Sequence, residues 1–275
     1  MPSRIVIKIG GNALTDPLTK TSIIEQICSV QEDGYQIVLV HGGGIEIKEL
    51  LSSVNIQSAF AGGHRITDET SIAYVEMALS GRVNKELVRL LNARNKKAVG
   101  ISGKDGPIAI AEKRYHSMTE DGNPVKKDIG FVGDVVEINT GLINLLLEGG
   151  YLPVLSPVSI GRDGYTYNIN ADLFAGQIAG AMNADKFIAM TNIDGLLSDI
   201  NDPGSIIHRL TVNEAKKLYG SVIRGGMIPK IDSCIKALEH GVGSAHIING
   251  TDQQSLLRLI RTNDTIGTII VKNDV

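Results

Sequence analysis

Arg4-Ile5-Val6-Ile7-Lys8-Ile9-Gly10-Gly11-Asn12 is the stretch that decides the fold. Apolar residues occupy both faces of this strand, the pattern of a parallel strand covered on both sides. Lys8 breaks the pattern just before two glycines. An ammonium buried there without a partner is costly, so the position asks for an anion. The alternative is an edge strand whose lysine snorkels to water. Gly10 and Gly11 would let backbone N–H groups face the same anion.

The 275 residues suffice for one large domain or two lobes sharing a core. Apolar residues make up 43% and charged residues 21%, as in ordinary globular chains, and a formal net charge of −3 gives no general attraction to nucleic acid or anionic membrane. No nucleic acid and no membrane partner is expected, and a small-molecule protein is. Cys28 and Cys234 lie among apolar residues at helical spacing and form no metal-ligand pattern. With no signal peptide, membrane-length apolar run or disulfide framework, a cytoplasmic protein is expected.

After the first strand, the pattern predicts a helix over 21–33 and a second buried strand, Gln36–His41, that ends in Gly42-Gly43-Gly44. A helix starting near Ile45 would aim its free N–H groups and positive dipole end at that turn. Arg65 follows Gly62-Gly63-His64, where a guanidinium suits bidentate capture of a carboxylate, though a solvated turn arginine fits equally well. A long helix is expected over 68–94, capped by Thr67 or Asp68 and interrupted at Gly81. Another buried strand covers 97–102. Short antiparallel strands over 108–111 and 131–138, around a Gly122-Asn123-Pro124 turn, suggest a small lid. Helix 139–148 and strand 152–155 return to the sheet, and the last third alternates strand and helix. The fold class read from this order is α/β, an open, mainly parallel central sheet sandwiched by helices, with a β-hairpin lid.

Chemistry concentrates at two further places. Asn168, Asn170 and Asp172 are spaced two apart, so on a strand they share a face, although Asn170 and Asp172 also suit helix capping. In Gly225-Gly226-Met227-Ile228-Pro229-Lys230, proline takes a first-turn position and places Lys230 at a helix N-terminus, against the macrodipole. An anion between lysine and helix end would remove that conflict. Two lysines, glycine turns, an arginine, two asparagines and an aspartate, with no nucleophile beside a base, make a site for holding negative charge. Phosphoryl transfer fits, since it depends mostly on positioning and electrostatics. No Gly-x-x-x-x-Gly-Lys-Ser/Thr run occurs.

Eight stretches in order resemble the amino-acid kinase family over essentially the full length: Lys8-Ile9-Gly10-Gly11-Asn12, His41-Gly42-Gly43-Gly44, Arg65-Ile66-Thr67-Asp68, Gly81-Arg82-Val83-Asn84-Lys85, Ser102-Gly103-Lys104-Asp105-Gly106, Gly130-Phe131-Val132-Gly133, Tyr167 through Asp172, and Gly225 through Lys230. The Asn-x-Asn-Ala-Asp and Gly-Gly-Met-x-x-Lys runs separate this branch from aspartate, glutamate-5, carbamate and uridylate kinases. The resemblance implies ATP-dependent phosphorylation of the γ-carboxylate of N-acetyl-L-glutamate, in arginine biosynthesis, with Mg²⁺ bound through the nucleotide phosphates. A carboxylate acceptor is already ionised at neutral pH, which agrees with the missing base.

By matching position, the resemblance implies that Lys8 and Lys230 neutralise the transferring phosphoryl and that Asp172 holds both. Gly10, Gly11, Asn12, Gly43 and Gly44 would surround phosphoryl oxygens, Arg65 would clamp the α-carboxylate, and Asn168 and Asn170 would bind the acetylamino acid. Thr191, Asn192, Met227 and Lys230 would lie by the nucleotide. Residues 1–183 would serve acceptor binding and dimerisation and 184–275 ATP binding, within one continuous domain. The sequence departs from the family pattern at Ile45, where proline is usual, at His64, where leucine is usual, and at Asn192, often aspartate. Members inhibited by arginine as hexamers carry an additional N-terminal helix, so a homodimer without strong arginine inhibition is expected. Two other readings stay open at this point: a related kinase acting on carrier-linked aminoadipate or glutamate, and a non-catalytic nucleotide or amino-acid sensor.

Overall fold

The computed structural model describes residues 2–10, 12–120, 123–262 and 264–273. β1 (Arg4–Ile9) leads through α1 (Asn12–Thr15) and α2 (Pro17–Glu32) to β2 (Gln36–His41), followed by α3 (Gly44–Ser53) and a short hairpin of β3 (Ala59–Ala61) and β4 (His64–Ile66). One helical run then joins α4 (Glu69–Glu76), a π-helical segment Met77–Val83 and α5 (Asn84–Asn92) before β5 (Ala98–Ser102). A long hairpin of β6 (Ala109–Glu120) and β7 (Asn123–Ile138) precedes α6 (Gly141–Glu148), β8 (Leu152–Ser156), β9 (Val158–Gly161), β10 (Thr166–Ile169), α7 (Ala171–Ala181) and β11 (Lys186–Thr191). The chain closes with β12 (Arg209–Thr211), α8 (Val212–Lys217), a 3₁₀ turn Gly225–Met227, α9 (Ile228–Glu239), β13 (Ser244–Asn249), α10 (Ser255–Arg261) and β14 (Thr268–Val271).

The central sheet has the order β12-β14-β13-β11-β1-β2-β8-β5 and is parallel except between β13 and β14. β1 lies inside it, paired on both edges, and its apolar side chains divide between the two layers. Ile5, Ile7 and Ile9 pack with Ile23 and Ile27 of α2, while Val6 packs with Phe174 and Ile178 of α7. This is the two-faced burial that the alternation of apolar residues without polar gaps dictates. Lys8 shares the Val6 face by strand periodicity and points toward the α7 layer. Among the described residues, no helix is long and apolar enough to cross a membrane.

Several boundaries differ from the sequence expectation for identifiable reasons. α2 starts at Pro17, because Asp16 caps it by accepting from Thr19 N at 2.7 Å and proline suits the first turn. Gly81 does not end the long helix; the run passes through it with wider π hydrogen bonding. Asp68, rather than Thr67, caps α4, accepting from Ser71 N at 2.7 Å.

The lid strands are longer than their apolar content suggests. Their polar residues are paired across the hairpin, Lys113 with Asp128 at 2.7 Å and Arg114 with Asp134. Asn123 and Pro124 begin β7 instead of forming a turn, and Gly122 lies outside the described residues. The hairpin closes with β9 and β10 into a four-stranded barrel.

Gly130 anchors this hairpin to the segment after β4. Thr67 N donates to Ile129 O at 3.0 Å and Phe131 N to Thr67 O at 2.6 Å, with Gly130 between them at φ +80°. A Cβ there would lie 2.0 Å from Thr67 O. Gly130→Ala is therefore expected to cost about 2–4 kcal/mol of stability, read from urea denaturation. An unchanged midpoint would show that the anchor is dispensable.

Candidate functional site

Lys8, on the central strand, is 5% exposed, and Asp172, in the first turn of α7, is 6% exposed. Lys8 Nζ lies 2.7 Å from Asp172 Oδ1, while Lys230 Nζ, from the first turn of α9, lies 3.4 Å from Asp172 Oδ2. Lys230 also donates to Gly226 O at 3.3 Å. Burial pushes the Asp172 carboxyl upward, yet the charges of Lys8 and Lys230 outweigh it and hold the group below its ordinary value. The cluster is thus a carboxylate between two ammonium groups, with net positive charge.

Asn168, Asn170 and Asp172 do not share a strand face. β10 ends at Ile169, since Asn170 caps α7 by accepting from Asp172 N at 3.0 Å and Leu173 N at 3.2 Å. The strand end and the helix start nevertheless turn all three toward one cavity of about 300 Å³, which Lys8, Gly43, Gly44 and Arg65 also line. Asn170 spends its carbonyl oxygen on the cap and keeps its amide NH₂ for the cavity.

Arg65 forms the other wall. It is 8% exposed, donates from Nη2 to Gly44 O at 2.9 Å and from Nη1 to Ser58 Oγ, and lies over the Phe60 ring at 4.8 Å. Among the described residues, no carboxylate stands within ion-pair distance of it. A buried guanidinium held by neutral acceptors is an open site for an anion. His64 and Ile45 line the same cavity, and burial, followed by the charge of Arg114, pushes the half-buried His64 below its ordinary pKa.

The glycine turn between the two walls has supports that sequence reasoning missed. Gly43 and Gly44 open α3, where helix geometry leaves the first N–H groups without internal acceptors. Behind them, a Cβ on Gly43 would stand 2.8 Å from Leu79 Cδ2, so the turn packs directly on the π-helical segment. Fully buried His41 donates from Nδ1 to Gly42 O at 2.8 Å, which fixes its tautomer, and Nε2 accepts from Asn84 Nδ2 at 3.1 Å. Asn84 also donates to Val154 O at 2.9 Å. His41 and Asn84 stand in two of the stretches noted in the sequence, but their meeting depends on the π segment that turns Asn84 inward.

One expectation needs correction. Gly10 N donates to Met190 O at 3.0 Å, continuing the β1–β11 ladder, so this amide is not open to a phosphate. The second cavity, of about 370 Å³, is lined by Ile193, Leu196, Leu197, Ile200, Val222 and Met227, and Thr191 and Asn192 directly precede its first lining residue in the chain. Thr191 is buried at the end of β11, with its hydroxyl 3.4 Å from Asn192 Oδ1. Gly11 and the Asn12 side chain lie outside the described residues.

A model of the amino acid kinase family matches residues 3–249. The chain is 46% identical to an acetylglutamate kinase of Thermoanaerobacter sp. (strain X514), over 98% of this chain and 87% of that one. It is also 46% identical to an acetylglutamate kinase of Petrotoga mobilis, over 97% and 87%. Among solved structures, that of a Streptococcus mutans UA159 protein is similar, with a TM-score of 0.78 and 30% identity over 99% of this chain and all of that one.

Burial pushes His41 and His246 down from 6.5 to about 4. Both stay neutral in the folded chain while unfolded histidine takes up a proton near 6.5, so stability falls as pH drops from about 6.5 toward 4. His41→Gln, which cannot be protonated, is expected to show a shallower fall in urea midpoint over that range. An identical slope would assign the loss to other groups.

Proposed function

The chain belongs to the amino acid kinase family, and from that premise we propose that it transfers the γ-phosphoryl group of ATP to the γ-carboxylate of N-acetyl-L-glutamate, a step of arginine biosynthesis. The observation that carries this reading is one cavity with a lysine–aspartate clamp on one wall and a buried arginine without an acid on the other. A dicarboxylic acceptor meets both walls: its α-carboxylate satisfies Arg65, and its γ-carboxylate lies toward the clamp. Asn168 and the free amide of Asn170 provide hydrogen bonds for the acetylamino group.

In the reaction, an oxygen of the γ-carboxylate attacks the terminal phosphorus, the bond to the β–γ bridging oxygen breaks, and ADP leaves, giving an acyl phosphate. The acceptor is ionised at neutral pH, so no residue has to remove a proton. His41 suits this chemistry because it is neutral, buried and committed on both ring nitrogens. Lys8 and Lys230 lower the cost of charge on the transferring group, Asp172 keeps them converged, and the Gly43 and Gly44 N–H groups face its oxygens.

Met227 and the second cavity are assigned to the nucleotide, whose apolar wall of Leu196, Leu197 and Val222 suits a base. Mg²⁺ is assigned to the nucleotide phosphates, where it supplies further charge neutralisation. This fits the donor set, because Asp172, the carboxylate of the clamp, is occupied by Lys8 and Lys230. On the same reading, residues 1–183 serve the acceptor and a homodimer contact, 184–275 serve ATP, and the enzyme works in the cytoplasm.

Trapping the acyl phosphate with hydroxylamine tests the reading. Hydroxamate is expected with N-acetylglutamate and not with glutamate, aspartate or aminoadipate; none with N-acetylglutamate would sink it. Lys8→Arg and Lys8→Ala are expected to lower kcat by orders of magnitude while the chain still folds by circular dichroism. Near-normal turnover in either variant would remove Lys8 from the chemistry.

A further inference from the structure

Asp172 and Lys230 come from the first turns of α7 and α9, which pack side by side. Helical spacing stacks Asp172, Gly176 and Gly180 on one face of α7, and Ser233 follows Lys230 on the opposing face of α9, with His240 at that helix's C-cap. At Gly176 a Cβ would stand 2.4 Å from Ser233 O and 3.0 Å from Ser233 Cα. At Gly180 it would stand 2.6 Å from His240 Cβ. Neither place admits a side chain unless the helices separate.

Neither glycine has a positive φ, and glycine inside a helix costs about 1 kcal/mol relative to alanine. Two such costs in one helix are offset by something other than local conformation, and the close approach of α9 supplies it. Interaxial distance follows from the side chains at the contact. Gly176 and Gly180 lie about 6 and 12 Å along α7 from Asp172, at about 1.5 Å per residue, so spacing set there is carried to the clamp. The Lys230–Asp172 contact, at 3.4 Å, is already longer than an ordinary charge-assisted hydrogen bond, and a shift of a few tenths of an ångström loosens it further.

We propose that the Gly176–Ser233 and Gly180–His240 contacts set the distance between Asp172 and Lys230, making the two glycines positioning residues for phosphoryl transfer. The proposal rests on the clamp reading given under the proposed function. It is tested with Gly180→Ala, alone and combined with His240→Gly or His240→Ala, because only His240→Gly removes the colliding Cβ. Gly180→Ala is expected to lower kcat roughly 10–100-fold with KM for both substrates unchanged. Adding His240→Gly restores kcat, and adding His240→Ala does not.

A second readout needs no turnover: the ¹³C signal of the Asp172 carboxyl, whose protonation moves to higher pH in Gly180→Ala and returns with His240→Gly. A wild-type chain that forms no hydroxamate fails the functional reading, and the carboxyl titration then judges the seam by itself. Wild-type kcat and titration in Gly180→Ala overturn the proposal, as does equal behaviour of the two double variants. Should Gly180→Ala alone not fold, the double variants still decide: a folded, active partner with His240→Gly beside an impaired one with His240→Ala supports the seam.

Discussion

One carboxylate held between two ammonium groups is the constraint on which the site depends. Lys8 stands on an interior strand, where water cannot reach it freely, and its contact with Asp172 at 2.7 Å makes that burial tolerable. Removing one partner from a buried ion pair costs about 3–5 kcal/mol, because the other charge is left uncompensated. The strand register, with Lys8 opposite Val40 on one side and Ala189 on the other, fixes where the ammonium emerges. Asn170 fixes where α7 begins and so where Asp172 stands. Lys230 completes the charge from a helix that joins the site only through tertiary packing.

Two of the polar supports behind the glycine turn are neutral: His41, whose buried ring stays uncharged beside Lys8, and Asn84, which reaches it from the end of the π segment. A protonated imidazole there would repel Lys8 and would be unable to accept from Asn84. Burial thus keeps the turn in place without adding a charge that competes for the phosphoryl group.

The central strands could be read from the sequence because two-sided burial leaves a continuous apolar run, visible without knowing the neighbours. Lys8 and Lys230 could be singled out because each breaks a local rule, one inside a buried strand and one against a helix dipole. What local rules did not contain was the distance between elements. The shared strand face of Asn168, Asn170 and Asp172 failed because Asn170 caps a helix, and the Gly10 amide was lost to a ladder that runs one residue past the strand. The full length of the lid strands was hidden by polar residues whose charges pair across the hairpin. The second cavity draws on 193–200, a segment without strand or helix periodicity, so pattern reasoning had no purchase on it.

On the proposed reading, Arg65 joins the acceptor and phosphoryl sites into one device. Its guanidinium is oriented before any ligand arrives, stacked over Phe60 and bonded to Ser58 and to the carbonyl of Gly44. Less side-chain freedom is therefore lost when a carboxylate binds. Gly44 belongs to the glycine turn that lines the cavity together with Lys8 and Asp172, and that turn is fixed from below by His41 through Gly42 O. The span from Arg65 to Lys8 is thus set by short, rigid links, and not by flexible side chains. An acid whose two carboxylates are too close or too far apart can satisfy Arg65 or reach the clamp, but not both in the geometry transfer requires. On this argument, discrimination among acceptors rests as much on the length of the cavity as on any contact to the acetyl group.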